Sequence, residues 1–167
     1  MERKLDYKII QNNFGVFADL KIKYNHNGVF DWKTTRYRDF VRIYVPSGSE
    51  LVQVDGFGNE KVTTSSELGK TVFSAFVVTE PGNVHEISLR YKLAPKIVND
   101  IVENNKYSLY LQKQAGSKYN SYNVELNFDK NINNYSPTGF FVKKENDKKI
   151  IWSDNFETDK EFKVLIK

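Results

Sequence analysis

Cysteine is absent from the 167-residue sequence, and histidine occurs only twice, as His26 and His85. The absence of cysteine excludes disulfide bonds, thiol catalysis and cysteine-based zinc sites. Neither histidine belongs to a His-Glu-x-x-His pattern or has a carboxylate neighbour at metal-ligand spacing. We therefore interpret both histidines as surface or packing residues, and we expect the chain to hold no metal and no cofactor.

The sequence also lacks the short motifs of common catalytic sites. It contains no Gly-x-Ser-x-Gly nucleophile elbow, no Gly-x-x-x-x-Gly-Lys-Ser/Thr phosphate loop and no Gly-x-Gly-x-x-Gly motif. Acidic residues alternate with lysines along polar faces, which is typical of a solvated surface. We expect no catalytic residue and no enzymatic activity. An enzyme that pairs two acids from distant strands is an alternative that the sequence leaves open.

Long apolar runs are missing as well. No stretch approaches the roughly 18 apolar residues of a membrane span, and residues 1–4 lead into an alternating segment rather than an apolar signal segment. The 25 basic residues are interspersed with 21 acidic ones, so the net charge is only +4 and no basic stripe for nucleic acid stands out. We expect no nucleic-acid binding and no membrane insertion by this segment.

Aromatic residues are abundant, at 14% of the chain, and apolar side chains follow a period of two. This period places apolar side chains on one face of a β-strand and polar side chains on the other. The alternating segments are residues 16–24, 85–93, 122–128 and 162–166. Two further runs, residues 40–45 and 71–78, are apolar on both faces, and we predict that they are central strands of a sheet.

Turn residues separate these runs. Glu80-Pro81-Gly82-Asn83 has Pro and Gly at the two central positions of a type II turn, which predicts a hairpin. Residues 95–103 carry apolar side chains at helical spacing after a proline, and we predict one or two helical turns there. The pattern predicts an all-β fold: one domain over residues 1–167 with nine to twelve strands in a two-layer antiparallel β-sandwich of the immunoglobulin-like, Greek-key type.

An ordered series of segments resembles a known family. The segments are residues 14–25, 37–51, 67–73, 81–93 and 107–116, of which Tyr-Arg-Asp-Phe-Val-Arg-Ile-Tyr-Val-Pro-Ser-Gly-Ser-Glu-Leu at 37–51 is the most typical. They resemble the C-terminal β-rich domain of uncharacterised, membrane-anchored bacterial cell-envelope proteins. That family often has Pro where this chain has Ala115.

The resemblance implies a location and carries no catalytic motif. It implies a domain outside the membrane, at the cell surface or envelope, tethered through a segment outside this sequence and forming part of a longer protein. The partners it implies are other domains of the same polypeptide or cell-wall components. We therefore expect a non-catalytic extracytoplasmic module that serves in scaffolding or in protein or cell-wall interaction.

Two exposed-aromatic candidates favour an alternative function, a carbohydrate-binding or adhesin module. Trp32 lies in a polar loop between two strands, and Tyr37 follows it closely, so these residues are the candidate platform on which a sugar ring would stack. Trp152 lies in an alternating segment. A packing role is the favoured interpretation for both tryptophans.

One segment is faintly similar to a calcium loop. Asp129, Asn131 and Asn133 match the first three ligand positions of an EF-hand loop, but Asn134 replaces the required Gly and Phe140 replaces the bidentate Glu. We favour an ordinary Asn-rich turn.

Overall fold

Strands dominate this computed structural model, which describes residues 1–117 and 120–167. Their bounds are β1 (Glu2–Asn12), β2 (Gly15–Asn25), β3 (Tyr37–Pro46), β4 (Glu50–Asp55), β5 (Thr63–Glu67), β6 (Lys70–Thr79), β7 (Val84–Lys92), β8 (Lys106–Leu111), β9 (Asn120–Asn127), β10 (Ile132–Ser136), β11 (Val142–Asn146), β12 (Lys149–Asn155) and β13 (Lys160–Ile166). One helix, α1 (Pro95–Val102), precedes β8. The predicted all-β class is confirmed.

The strands form three sheets. The large sheet has the order β11-β12-β9-β1-β2-β7-β4. The β3 sheet has the order β3-β6-β5, and the β8 sheet has the order β10-β13-β8. β3 is therefore an edge strand of the β3 sheet, and β8 is an edge strand of the β8 sheet.

Both small sheets pack on the same face of the large sheet. Trp152 of β12 and Leu89 of β7 lie in one row of cross-strand partners that crosses β9, β1 and β2. At one end of the large sheet, Trp152 meets Phe162 of the β8 sheet with ring centroids 5.2 Å apart. At the other end, Tyr91, on the same face as Leu89, meets Phe73 of the β3 sheet at 5.6 Å. The result is the predicted two-layer sandwich.

The alternating segments adopt the predicted orientation. In β9, for example, Tyr122, Val124 and Leu126 are buried while the residues between them are partly exposed. The same alternation holds along β2, β7 and β13. The period of two therefore located the inner face of the large sheet from the sequence alone.

The helix also lies where the sequence predicted it. α1 begins at Pro95, which occupies a first-turn position where its missing N–H costs nothing, and Ile101 is its buried residue. With eight residues it spans two turns. Among the described residues no helix has both the length and the apolar character that crossing a membrane requires.

The strand pairing differs from the prediction in two places. The sandwich is not purely antiparallel, because β1 pairs with β9 in parallel. The turn at residues 80–83 forms, with Asn83 N–H donating to Glu80 O at 3.1 Å and Gly82 at φ 76°. The predicted hairpin is nevertheless wrong, since β6 lies in the β3 sheet and β7 in the large sheet. Turn residues specify a chain reversal, and they do not specify whether the flanking strands pair.

The two runs that are apolar on both faces occupy different positions in the β3 sheet. Residues 71–78 form β6, the central strand of the β3 sheet, as predicted. Residues 40–45 belong to β3, which the sequence predicts to be central but which is an edge strand in the described chain. Its inner-facing Val41 and Val45 are buried, whereas Phe40 and Tyr44 on its outer face remain exposed.

The outer face of the large sheet is charged and solvated, as the alternation of acids with lysines predicted. Glu125 of β9 accepts ion pairs from Lys8 of β1 at 2.9 Å and from Lys149 of β12 at 3.1 Å. Partial burial raises the pKa of Glu125, but hydrogen bonds from the two lysines outweigh burial, and the pKa falls below its usual range. Arg90 and Asp19 form a two-point ion pair between β7 and β2 at 2.6 and 2.7 Å.

The two tryptophans provide a matched stability test. Trp152 is fully buried, and its Nε1–H donates to Pro137 O at 2.8 Å, whereas Trp32 is 88% exposed. We expect Trp152→Ala to lower the free energy of unfolding by about 3–5 kcal/mol, because it leaves a cavity. Trp32→Ala should change it by less than about 0.5 kcal/mol. Urea unfolding of both variants checks this, and equal losses would contradict the packing described above.

Candidate functional site

A groove of about 1090 Å³ separates the two small sheets. Residues 39–46 of β3 form one wall, and residues 107–114, from β8 and the chain that follows it, form the other. In the described chain β3 and β8 are the facing edges of separate sheets and are not hydrogen-bonded to each other. Each edge strand directs half of its backbone N–H and C=O groups away from its own sheet. Both walls therefore offer backbone donors and acceptors to the groove.

The floor of the groove shows where the second layer is incomplete. Tyr122, Leu5, Ile22 and Ile87 form one row across β9, β1, β2 and β7 on the inner face of the large sheet. The two ends of the row are buried, with Tyr122 2% and Ile87 0% exposed, but Leu5 and Ile22 in the middle are only partly buried. Among the described residues, the seven strands of the large sheet face the six strands of the two small sheets. The area that these six strands leave partly exposed lies over β1 and β2.

The two walls run in opposite directions. At one end of the groove, Arg3 touches Tyr37, the first residue of β3, and Gln114, which follows β8. At the other end, Gly48, just after β3, lies against Pro95, where an added Cβ would stand 3.7 Å from the proline Cδ. α1 then leads directly into β8. β3 therefore runs from the Arg3 end to the α1 end, and β8 runs back.

Arg3 joins the two small sheets at its end of the groove. It shares the inner face of β1 with Leu5, and its Nη1 donates to Gln114 Oε1 at 2.8 Å while its Nη2 donates to the Tyr37 hydroxyl. Its guanidinium also lies 5.7 and 5.6 Å from the ring centroids of Tyr24 and Tyr37. A planar donor with five N–H groups suits such a multiple contact better than an ammonium group.

Buried tyrosines close the deeper part of the groove. The hydroxyls of Tyr7 and Tyr107 lie 2.9 Å apart, between β1 of the large sheet and β8. Burial raises the pKa of both phenols well above the ordinary value, and the neighbouring tyrosine Tyr91 is raised for the same reason. The cluster is therefore a neutral, hydrogen-bonded contact between the layers.

Positive charge predominates along the groove. Six cationic residues and one acidic residue, Asp39, belong to its described lining: the cationic residues are Arg3, Lys4, Arg42, Lys70, Lys96 and Lys113. The Lys4 side chain pairs with Asp6 on the outer face of β1. Asp39 lies 3.8 Å from Arg3. Within the described chain neither Lys70 nor Lys96 forms an ion pair, in contrast to Arg42, which pairs with Glu67. The charge that faces the groove is thus incompletely neutralised.

An apolar surface continues from the β3 wall onto the outer face of the β3 sheet. The rings of Phe40 and Phe76 lie 4.8 Å apart and are 49% and 52% exposed. Tyr44 and Val78 extend this outer patch. Because Phe40 and Tyr44 also line the groove, the apolar patch and the groove form one continuous surface.

The two residues predicted to form a sugar platform lie in different settings. Trp32 lies in the loop between β2 and β3 with Lys33 Nζ 4.5 Å from its ring centroid. Asp31 fixes this loop by accepting the backbone N–H groups of Lys33 and Thr34 at 2.8 and 2.6 Å, and these bonds lower the Asp31 pKa. Tyr37 is partly buried and bonded to Arg3. The favoured packing role is correct for Trp152 and wrong for Trp32.

The other segments considered as metal or catalytic sites bring no ligand set together. Asp129 and Asn131 precede β10, and Asn133 lies within it, with all three side chains exposed. Across residues 1–117 and 120–167 no three His, Cys, Asp or Glu side chains converge as a metal site would require. His26 instead contacts the Thr35 carbonyl oxygen at 3.2 Å and so ties down the Trp32 loop.

Comparison with known proteins gives structural matches only. No family model matches the chain, and no curated protein is similar to it in sequence. Solved structures that align with it include an M1 zinc metallopeptidase mutant from Deinococcus radiodurans bound to a Tyr-Ser-Ala substrate, at 9% identity and a TM-score of 0.46, and an M1 zinc metallopeptidase from the same organism, at 10% and 0.42. The alignments cover 99% and 98% of this chain but only 41% and 40% of those chains.

No local sequence pattern marks the residues that build this groove. Arg3, Lys70 and Lys96 come from three segments that are far apart in the chain, and no local pattern links them. The one local signal was the apolar character of β3 on both faces, which is typical of a central strand that is covered on each face.

The buried tyrosines predict how stability depends on alkaline pH. Unfolded tyrosines lose their protons near the ordinary pKa of 10.0, whereas Tyr7 and Tyr107 keep theirs in the folded chain. Because the folded pKa values are raised, the free energy of unfolding should be retained below pH 10 and should fall as the pH rises above it. Tyr7→Phe/Tyr107→Phe should show a smaller fall between pH ~8 and ~11 in urea unfolding. Equal falls would contradict the assignment.

Proposed function

We propose that this chain is a non-catalytic protein-interaction module that holds an extended polypeptide segment of a partner in the groove between β3 and β8. The observation that carries the proposal is that both walls of one groove are open strand edges above a partly uncovered apolar floor. An exposed edge is a template for strand addition, with backbone hydrogen bonds supplying affinity and side-chain positions supplying specificity.

The sequence of β3 supports this proposal independently. A strand that is apolar on both faces is typical of the interior of a sheet, yet β3 lies at an edge. A segment added beside it would place β3 in the interior of a sheet, which is the position that its sequence predicts. The added segment would also cover Leu5 and Ile22 on the floor, and burial of that apolar surface is favourable.

A catalytic role has less support from the groove. Asp39 is the one carboxylate in its described lining, so the groove does not hold the pair of acids that glycosidases use. The buried tyrosines are kept neutral. The resemblance to envelope proteins supports placing the module outside the membrane, tethered to a longer polypeptide. Other domains of that polypeptide or cell-wall components would then be its partners in a scaffold.

Peptide selection followed by NMR tests the proposed function. A phage library of random ten-residue peptides is selected on the chain, and a selected synthetic peptide is titrated into the isotope-labelled chain. We expect amide shifts along β3 and β8, because a bound strand hydrogen-bonds to both. β4 and β11, the outer edges of the large sheet, serve as internal controls.

A substitution on the groove floor tests whether the selected peptide binds in the groove. Leu5→Gln places a polar group on the groove floor, and Ile10→Gln is the matched control on the opposite face of β1. We expect Leu5→Gln to weaken peptide binding and Ile10→Gln to leave it unchanged. Failure to select any peptide, or shifts confined to β4 and β11, would contradict the proposed function.

A glycan-binding or adhesin role is a second candidate, favoured by the exposure of Trp32. An indole face that is not packed in the core is available for stacking on a sugar ring. If this role is correct, the chain binds glycans on an array and Trp32→Ala abolishes binding. Phe14→Ala, at another ring that is 85% exposed, is the matched control and should not affect it. Binding that survives Trp32→Ala would contradict the role.

A further inference from the structure

We infer that the segment bound in the groove is a single strand with acidic residues at its carboxyl end, and that it runs parallel to β3 and antiparallel to β8. This inference rests on the proposed function and adds the chemistry and direction of the partner segment. It depends on where the unpaired positive charge lies relative to the two ends of the groove.

The second layer has one strand fewer than the large sheet among the described residues. Six strands in the two small sheets face the seven strands of the large sheet, and the uncovered floor is centred on Leu5 and Ile22. Strands in a sheet are spaced about 4.8 Å apart, so one added strand beside β3 and β8 would join the two small sheets into one. β8, with six residues, sets the length of contact at about 20 Å.

The two ends of the groove differ in charge. At the Arg3 end, Arg3 is already engaged by Asp39, Tyr37 and Gln114. Lys113, at the same end, donates its ammonium hydrogens to Gln114 O at 2.9 Å and to Ser117 O and Oγ at 2.5 and 2.8 Å. At the α1 end, Lys70 lies opposite Pro46, the last residue of β3, and Lys96 lies in the first turn of α1. Neither lysine forms an ion pair within the described chain, and Glu67, the cross-strand neighbour of Lys70, pairs with Arg42 instead. This end therefore carries positive charge that is available to a ligand.

This asymmetry sets the direction of the bound segment. β3 ends at the α1 end of the groove, so a segment whose acidic carboxyl end reaches Lys70 and Lys96 runs in the same direction as β3. Since β8 runs the opposite way, the segment is antiparallel to β8. The position of the acidic residues in the segment therefore predicts its backbone direction.

A partner protein fits the charge of the groove better than a second copy of this chain. The chain carries a net charge of +4, so a strand from a second copy would bring further positive charge to a groove that is already basic. An acidic segment from another protein or domain is attracted instead, and this attraction weakens as salt is added.

Three capped peptides test the inference. Each contains six alternating Val and Thr residues: one has two Glu residues added at the carboxyl end, one has them added at the amino end, and one has none. We expect the carboxyl-end peptide to bind roughly fivefold more tightly than the amino-end peptide, the size expected from about two exposed ion pairs. Fluorescence anisotropy measures the affinities, and a higher salt concentration should reduce the difference.

Charge reversal at Lys70 and Lys96 tests whether these lysines cause the preference for the carboxyl-end peptide. K70E/K96E should remove the preference for the carboxyl-end peptide while leaving the affinity of the uncharged peptide unchanged. K61E/K148E is the matched control, because it makes the same change in net charge at two exposed lysines outside the groove lining. It should retain the preference.

The possible outcomes separate the two proposals. Equal affinities of the two acidic peptides, with amide shifts on both β3 and β8, overturn the inferred direction and leave the proposed function standing. Absence of binding by all three peptides, together with a failed selection from the library, overturns both. Dimerisation of the chain through the groove, measured by sedimentation and lost on Leu5→Gln but kept in Ile10→Gln, also overturns the inference, because the occupant is then a second copy.

Discussion

Coverage of the large sheet is the constraint on which the rest of the structure depends. Its inner face is apolar across the central strands, and removing such a face from water is the main source of stability in a layered β protein. The covering strands come as two separate sheets, which bury Trp152 at one side and Ile87 at the other but leave Leu5 and Ile22 partly exposed between them. The groove, its open edges and its interlayer tyrosines all follow from that division.

Much of the fold could be predicted from the sequence because burial in a strand is a local property. The period of two located the inner faces of β2, β7, β9 and β13, and a proline followed by apolar residues at helical spacing located α1. Strand pairing could not be predicted in the same way. β1 pairs in parallel with β9, more than a hundred residues away, and no local pattern contains that information. The turn between β6 and β7 was predicted. Whether the chain passes from one layer to the other at this turn depends on which sheets β6 and β7 join.

The candidate site was harder to predict for the same reason. Trp32 and Tyr37 were predicted as a site because they are aromatic residues in a polar setting. Tyr37 lies at the end of the groove, where it accepts a hydrogen bond from Arg3. The lysines that face the groove resemble any other lysines of a solvated strand or helix. β3 gave the informative signal: a strand whose sequence suits the interior of a sheet lies at an edge, and such a conflict between local pattern and global position is expected at functional sites.

Hydrogen exchange of the free chain, followed amide by amide, tests the central claim most directly. If β3 is an open edge, alternate amides along it point into the groove without a partner and exchange quickly, while those bonded to β6 are protected. Residues 70–74 of β6 pair with β3 on one side and with β5 on the other, so they are the comparison within the same sheet, and their amides should all be protected. Protection of every β3 amide to the level of β6 in the free chain would contradict the account, because the groove wall would then already be paired.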